Sequence, residues 1–147
     1  MSQHDMVMQE ITEGVERGRA GDREGARSAL GAVWDRLGED GDPLHVATLA
    51  HFMADLQDEP AEELTWDHRA LAAADRLTDE RAQQYEASLA VRGLYPSLYA
   101  SLAADYAKLD DPATARRYLT RAEAATPELP ESEYGEYVRA VITRLRA

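Results

Sequence analysis

Histidines with nearby carboxylates are the residues of this sequence that come closest to metal chemistry. His51 is followed by Asp55 one helical turn later, and His68 lies beside Asp67. A histidine and a carboxylate four residues apart share one face of a helix, and both groups are ordinary ligands of zinc. Because no HExxH signature accompanies them, we expect these side chains to be groove-lining or surface polar residues. A metal site that uses His51 and His68 is kept as an alternative.

Other signatures of chemistry do not occur in the sequence. It contains no cysteine, which excludes disulfides, thiolate catalysis and sulfur-ligated metals. It also contains no GxSxG motif, no glycine-rich phosphate loop and no Ser/His/Asp arrangement. The acidic runs GEDGD and DEPAEE occur at predicted turns, where a solvated surface is the ordinary interpretation. We therefore expect no enzymatic activity, no catalytic residue, no cofactor and no bound metal.

The balance of charges narrows the class of partner. Of the 147 residues, 28 are Asp or Glu and 16 are Lys or Arg, so that the formal net charge is −12. Affinity for nucleic acids and for anionic lipids comes from clustered Lys and Arg, so we expect neither kind of partner. A basic or neutral protein or peptide is favoured instead.

The sequence also bears on where the chain is found. Its N-terminal stretch MSQHDMVMQE has no basic segment followed by an apolar core, so a secretory signal is not expected. No apolar run approaches the roughly 20 residues that a membrane helix needs. These two observations favour a cytoplasmic protein.

Hydrophobic residues recur at helical spacing along almost the whole chain. Ala26, Leu30, Val33 and Leu37 follow one another in steps of four, three and four residues, which is typical of a helix with one buried face. Pro96 interrupts the longest such stretch, and a break is expected around residues 92 to 96. The pattern predicts about eight helices joined by short turns, and therefore antiparallel neighbours in an all-α fold.

The segment 96–129 carries the pattern of a repeating helical hairpin. Small Ala103 and Ala122 allow two helices to approach closely, and large residues fill the space toward the next pair. The positions that fit the pattern are Tyr99, Leu102, Ala103, Tyr106, Ala115, Leu119, Ala122 and Pro127. On these residues the segment resembles the tetratricopeptide repeat (TPR) family. The stretch that leads into it, DERAQQYEASLAVRGLYPSL, is similar to small actinobacterial proteins of that kind.

The rest of the chain fits the same frame less closely. The segments are a degenerate repeat at 6–38, a second degenerate repeat at 43–77, an extra helix at 78–95 and a capping helix at 132–146. The resemblance implies one domain over residues 1–147, built as about three stacked antiparallel hairpins in a right-handed solenoid with a C-terminal cap.

The resemblance also implies a binding face. In this family the first helices of successive repeats line a concave face that accepts a peptide or a helix. The residues at these positions are Leu44, Ala47, His51, Ala54, Ser97, Ala100, Ala104 and Ala107. They include no Lys, Arg or Asn, so a clamp for a terminal carboxylate is not expected. The implied function is a non-catalytic scaffold that binds a protein or peptide.

Two alternatives to an open groove remain. Residues 78–95 or the C-terminal helix could fill the concave face. Tyr134 and Tyr137 on the last helix could instead contact a second copy of the chain, which would make a homodimeric structural domain. For the other aromatic residues we expect packing roles.

Overall fold

The chain folds into helices joined by short turns. A computed structural model describes residues 3–85 and 91–147, and it shows eight α-helices, two short 3-10 helices and no strand within these ranges. The α-helices are α1 (Gln3–Arg19), α2 (Arg23–Leu37), α3 (Pro43–Asp55), α4 (Pro60–Arg76), α5 (Asp79–Tyr85), α6 (Tyr95–Lys108), α7 (Pro112–Ala125) and α8 (Glu133–Arg146). The 3-10 helices span Val91–Leu94 and Thr126–Glu128. The predicted all-α fold is confirmed. Part of the predicted extra helix, residues 86–90, lies outside the described residues.

The helices belong to two compact units, Met1–Leu77 and Thr78–Ala147. The first unit holds α1 to α4, and the second holds α5 to α8. All three predicted hairpins are present, since α1 packs against α2, α3 against α4 and α6 against α7. The boundary between the units follows residue 77, where the second hairpin was predicted to end. That the whole chain forms one continuous domain stays a prediction.

Local signals set the helix ends of the first unit. The chain leaves α1 through Gly21, whose φ of 98° lies in the left-handed region that glycine tolerates. Asp22 then accepts a hydrogen bond from the Gly25 N–H at 2.9 Å and caps α2. Likewise, α3 begins with Pro43 directly after Asp42, whose carboxylate caps it. These caps explain why the helices end where the hydrophobic pattern stops.

The central helix of the first unit is α3. It packs against α1, α2 and α4, and Leu49 on it is fully buried, as is Leu30 on α2. Gly14 allows the close approach of α1 to α2, because a Cβ at this position would lie 2.8 Å from Cδ2 of Leu30. The hydrophobic stripes of the sequence thus meet in one core around α3.

A break separates α5 from α6 in the second unit. The chain forms the 3-10 helix Val91–Leu94 and then enters α6 with Pro96 in the first helical turn. Proline is tolerated there because the first backbone donors of a helix have no partner within it. The break predicted around residues 92 to 96 is confirmed.

The last helix, α8, packs against both helices of the α6/α7 hairpin. Val138 and Ile142 of α8 share a core with Ala103 of α6 and with Leu119 and Ala122 of α7. The repeat positions Leu102, Ala103, Leu119 and Ala122 are buried, while Tyr99, Tyr106 and Ala115 are half-buried and Pro127 is exposed. The helix therefore covers the end of the hairpin, as a capping helix does.

Candidate interaction surfaces

The two histidines of the metal hypothesis lie in the first unit, on α3 and α4. Both are half-buried. The ring of His51 meets that of Phe52 edge-on at 5.5 Å, and its Nδ1 has no hydrogen-bond partner among the described residues. Neither His51 nor His68 belongs to a group of three His, Asp or Glu side chains that could hold an ion in the described part of the chain. Zinc sites use three or four protein ligands, so the described neighbours of these histidines do not make such a site.

His68 is expected to make the stability of the first unit depend on pH. Burial lowers its pKa below the ordinary 6.5, because desolvation disfavours the charged imidazolium. The contribution of the neutral His68 side chain to the free energy of unfolding is therefore fully present above pH 6.5. It is lost as the pH falls through the lower pKa of the folded state. Between pH 7.5 and pH 5, we therefore expect the free energy of unfolding to fall more for the wild type than for His68→Gln. Urea unfolding followed by circular dichroism measures this, and equal losses would contradict it.

An aromatic pair connects α2 to α4 in the first unit. Trp34 and Trp66 meet edge to face, with ring centroids 4.9 Å apart. The Arg69 guanidinium lies over both rings, 5.1 Å from the Trp34 centroid and 4.5 Å from that of Trp66. It also pairs with Glu39 at 3.4 Å. The Arg69 guanidinium of the same unit thus covers faces of both indole rings through cation–π attraction. The two tryptophans therefore have a packing role.

Four residues of the predicted groove lie on α3. Leu44 and Ala54 are buried, and His51 is half-buried. Ala47 is 8 % exposed and shares a hydrophobic cluster with Ala73 of α4. Ala47 therefore packs between α3 and α4 within the first unit.

The other four groove residues lie on α6 in the second unit. Ala100 is 4 % exposed and packs in the core that α6 shares with α7 and α8. Ser97 and Ala104 are half-buried, and Ala107 is exposed. Of this set, Ala100 points into the unit, while Ser97, Ala104 and Ala107 keep surface that a partner could contact.

The N-terminal turns of α6 and α8 are joined by a hydrogen bond between the hydroxyls of Ser97 and Tyr134. Further along, Ala100 of α6 shares the core with Val138 and Ile142 of α8, so the two helices run side by side in the same direction. Desolvation raises the pKa of Tyr134, and the hydrogen bond to Ser97 opposes part of that rise. The phenol is therefore neutral at physiological pH.

A continuous surface follows from this arrangement. Ser97 and Ala104 are seven residues apart on α6, and Tyr134 and Val141 are seven residues apart on α8, so each pair lies on one side of its helix. We call these four residues the α6–α8 face. Tyr134 is 44 % exposed, and the other three are half-buried. The face therefore offers an aromatic ring next to small and branched apolar groups.

The contribution of α8 to this face was not predicted from the sequence. The helix was expected to close the array or to fill the concave face, and its tyrosines were considered for a homodimer. A signal was present, because Tyr134 belongs to the apolar stripe of this helix that also contains Val138, Val141 and Leu145. Such a stripe on a capping helix indicates apolar contacts along this side of the helix.

Four tyrosines form a row on the α6/α7 hairpin. The ring centroids are 5.6 Å apart for Tyr95 and Tyr99, 6.2 Å for Tyr99 and Tyr118, and 5.6 Å for Tyr118 and Tyr106. The guanidinium of Arg121 lies 5.2 Å from the centroid of Tyr118. Aromatic pairs of this kind contribute about 0.5–1.5 kcal/mol each. The row stabilises the contact between α6 and α7, which is the packing role expected for these residues.

A shallow depression of about 370 Å³ lies between α7 and α8. Its lining consists of Glu123, Thr126, Arg139, Ile142, Thr143 and Arg146. Glu123 and Arg146 form an ion pair there, and this pairing lowers the pKa of the Glu123 carboxyl. Arg139 donates to the Leu129 carbonyl at 3.4 Å. The charged groups of the depression are thus engaged with other groups of the unit.

Charge is divided unequally between the two units. Residues 1–77 carry 17 carboxylates and seven arginines, a formal charge of −10. Residues 78–147 carry eleven carboxylates and nine basic side chains, a formal charge of −2. The α6–α8 face therefore belongs to a nearly neutral unit of a strongly acidic chain.

None of the helices in the described ranges has the length and apolar character to cross a membrane. No family model matches the sequence, and no curated protein or solved structure matches it significantly. The resemblance to tetratricopeptide repeats stays a prediction, and function has to be inferred from the surfaces of the two units.

Proposed function

We propose that this chain is a cytoplasmic, non-catalytic protein-binding module of TPR-like construction, which takes a helix or peptide on the α6–α8 face. The observation that carries the proposal is Tyr134, which is 44 % exposed although its hydroxyl is hydrogen-bonded to Ser97. A tyrosine held at one end presents a rigid ring and loses little conformational entropy when a partner covers it. Such rings recur among the residues that dominate binding energies.

The shape of the face suits a helical partner. Ala104 is small and lies two turns beyond Ser97, so it leaves room on the side of Val141 for the side chains of an incoming element. An amphipathic helix would place residues one or two turns apart into this space, as in other helix-in-groove complexes. Contact with the ring and the methyl groups supplies the affinity, since the polar hydroxyls of Ser97 and Tyr134 are already paired with each other.

The charges favour a basic or neutral partner. A net charge of −12 attracts cationic segments at long range and raises their association rate at low salt. Because the face itself lies in the unit with a charge of only −2, the docked contact is expected to be mainly apolar. Salt should therefore slow association more than it speeds dissociation.

A selected peptide can test the face directly. We would select helical peptides from a displayed library against the immobilised protein and measure their affinity by fluorescence anisotropy. The peptides obtained are expected to be amphipathic and neutral or basic. Ala104→Arg should raise their Kd at least tenfold, because the guanidinium fills the space that Ala104 leaves on the α6–α8 face and has to be desolvated on binding.

Ala124→Arg is the matched control, because Ala124 is exposed on α7 and receives the same side chain. It should leave the Kd unchanged. If Ala104→Arg binds every selected peptide as tightly as the wild type, and circular dichroism shows the same helix content, then the α6–α8 face is not the binding site.

A further inference from the structure

We infer that the outer face of α8 binds the same face of a second copy of this chain, as an antiparallel pair of helices. This outer face consists of Glu133, Glu136, Tyr137, Ala140 and Arg144, all of which are exposed. It points away from Val138 and Ile142, through which α8 packs onto its own unit. The inference goes beyond the proposed function, since it uses none of the residues of the α6–α8 face.

The most exposed large apolar side chain of the face is Tyr137. Its exposure is 66 %, which exceeds that of Tyr134, Met6 and Leu109, the other exposed large hydrophobic residues of the described chain. Tyrosine is enriched at the centres of protein interfaces because its ring is apolar and its hydroxyl tolerates water. Its place on the outer side of a capping helix indicates that the helix has a further contact to make.

The charged residues of the face are self-complementary. Glu136 lies four residues before Ala140, and Arg144 lies four residues after it. When two copies of α8 cross in antiparallel orientation at Ala140, each Glu136 therefore faces the Arg144 of the other copy, and the contact forms twice. A twofold interface requires this kind of match between one surface and itself. The match identifies the second copy as the occupant.

The charged groups are available for such pairing. Among the described residues, Glu133, Glu136 and Arg144 take part in no ion pair. Acidic residues at the start of a helix and basic residues at its end also stabilise the helix itself through its dipole. That effect accounts for the signs of the charges but not for an exposed Tyr137 between them.

The centre of the face allows the two helices to approach closely. Ala140 has a small side chain, and helices that cross at small residues lie about 8 Å apart. Tyr137 lies three residues before Ala140, so each ring would pack beside the crossing point against Ala140 and Thr143 of the other copy. The second unit, with a charge of −2, is also where two copies of a chain of charge −12 repel each other least.

Sedimentation equilibrium of the full chain, from about 5 to 500 μM, tests the inference. We expect a reversible monomer–dimer equilibrium. Glu136→Arg and Arg144→Glu each bring like charges together twice in the dimer, and each should raise the dimer dissociation constant about tenfold. The double variant restores opposite charges and should return the constant to within about threefold of the wild type. Tyr137→Ala should weaken the dimer without changing the helix content.

Asp35→Arg is the matched control, since it makes the same change of charge at an exposed position on α2 and should leave the equilibrium unchanged. A wild type that stays monomeric throughout, or a double variant as weak as the single ones, would overturn the inference. Equal weakening by Asp35→Arg would do so too, because the effect would then not depend on the outer face of α8. Ala104→Arg should leave the dimer intact, so a monomeric protein that still binds selected peptides refutes the dimer and leaves the proposed function standing.

Discussion

Replacing Leu102 with alanine is expected to lower the free energy of unfolding by about 2–5 kcal/mol. Leu102 is fully buried and is one of the largest side chains of the described chain with no exposed surface. The truncation removes apolar groups from the interior and leaves a cavity that the neighbouring helices only partly fill. Urea or guanidinium unfolding, followed by circular dichroism, measures the loss.

Leu109→Ala provides the comparison for this change. Leu109 follows α6 directly and is 38 % exposed, so the same truncation should lower the free energy of unfolding by less than about 1 kcal/mol. Similar losses at both positions would mean that Leu102 is not an interior residue of the folded protein.

Gly135→Ala is expected to destabilise the second unit by about 1–3 kcal/mol, although alanine is the better helix former. A Cβ at this position would lie 2.0 Å from the carbonyl oxygen of Pro130, which is a backbone atom that cannot rotate away. The first turn of α8 would have to move, and with it the hydrogen bond from the Gly135 N–H to Ser132 at 3.3 Å. Thermal or chemical unfolding should show the loss, and hydrogen exchange should place it in α8.

Gly31→Ala is the matched control for the glycine change. A Cβ at Gly31 would meet only Cε of Met53, at the ordinary contact distance of 3.8 Å. Alanine should therefore stabilise α2 by up to about 1 kcal/mol through helix propensity. Opposite signs at Gly31 and Gly135 would show that the contact with Pro130, and not the loss of a glycine, decides the outcome. A stabilising Gly135→Ala would contradict the packing of α8.

Helix boundaries could be predicted because the residues that set them act locally. Asp22 and Asp42 cap helices through their own carboxylates, and Pro96 begins one because it cannot continue another. None of these effects depends on distant parts of the chain. The three hairpins could be predicted for the same reason, because a short turn between two amphipathic helices makes them antiparallel neighbours.

The surfaces could be predicted only in part, because periodicity tells which residues share a side of one helix but not which neighbour covers that side. Ala47 and Ala100 share helix sides with other residues of the predicted groove, yet each packs in a core of its own unit. Tyr134 illustrates the converse. It belongs to a helix expected to cap the array, to fill the concave face or to contact a second copy, and its bond to Ser97 depends on how α8 lies beside α6.

The division into two units also separates the chromophores of the chain. Both tryptophans lie within residues 1–77, and all seven tyrosines lie within residues 78–147. Fluorescence excited where only indole absorbs therefore reports on the first unit, and the ultraviolet difference spectrum of the phenols reports on the second. With no label attached, one sample reveals whether the two units unfold together, since coincident transitions are the sign of a single cooperative step. The unmodified chain thus carries its own optical test of how far the two units depend on each other.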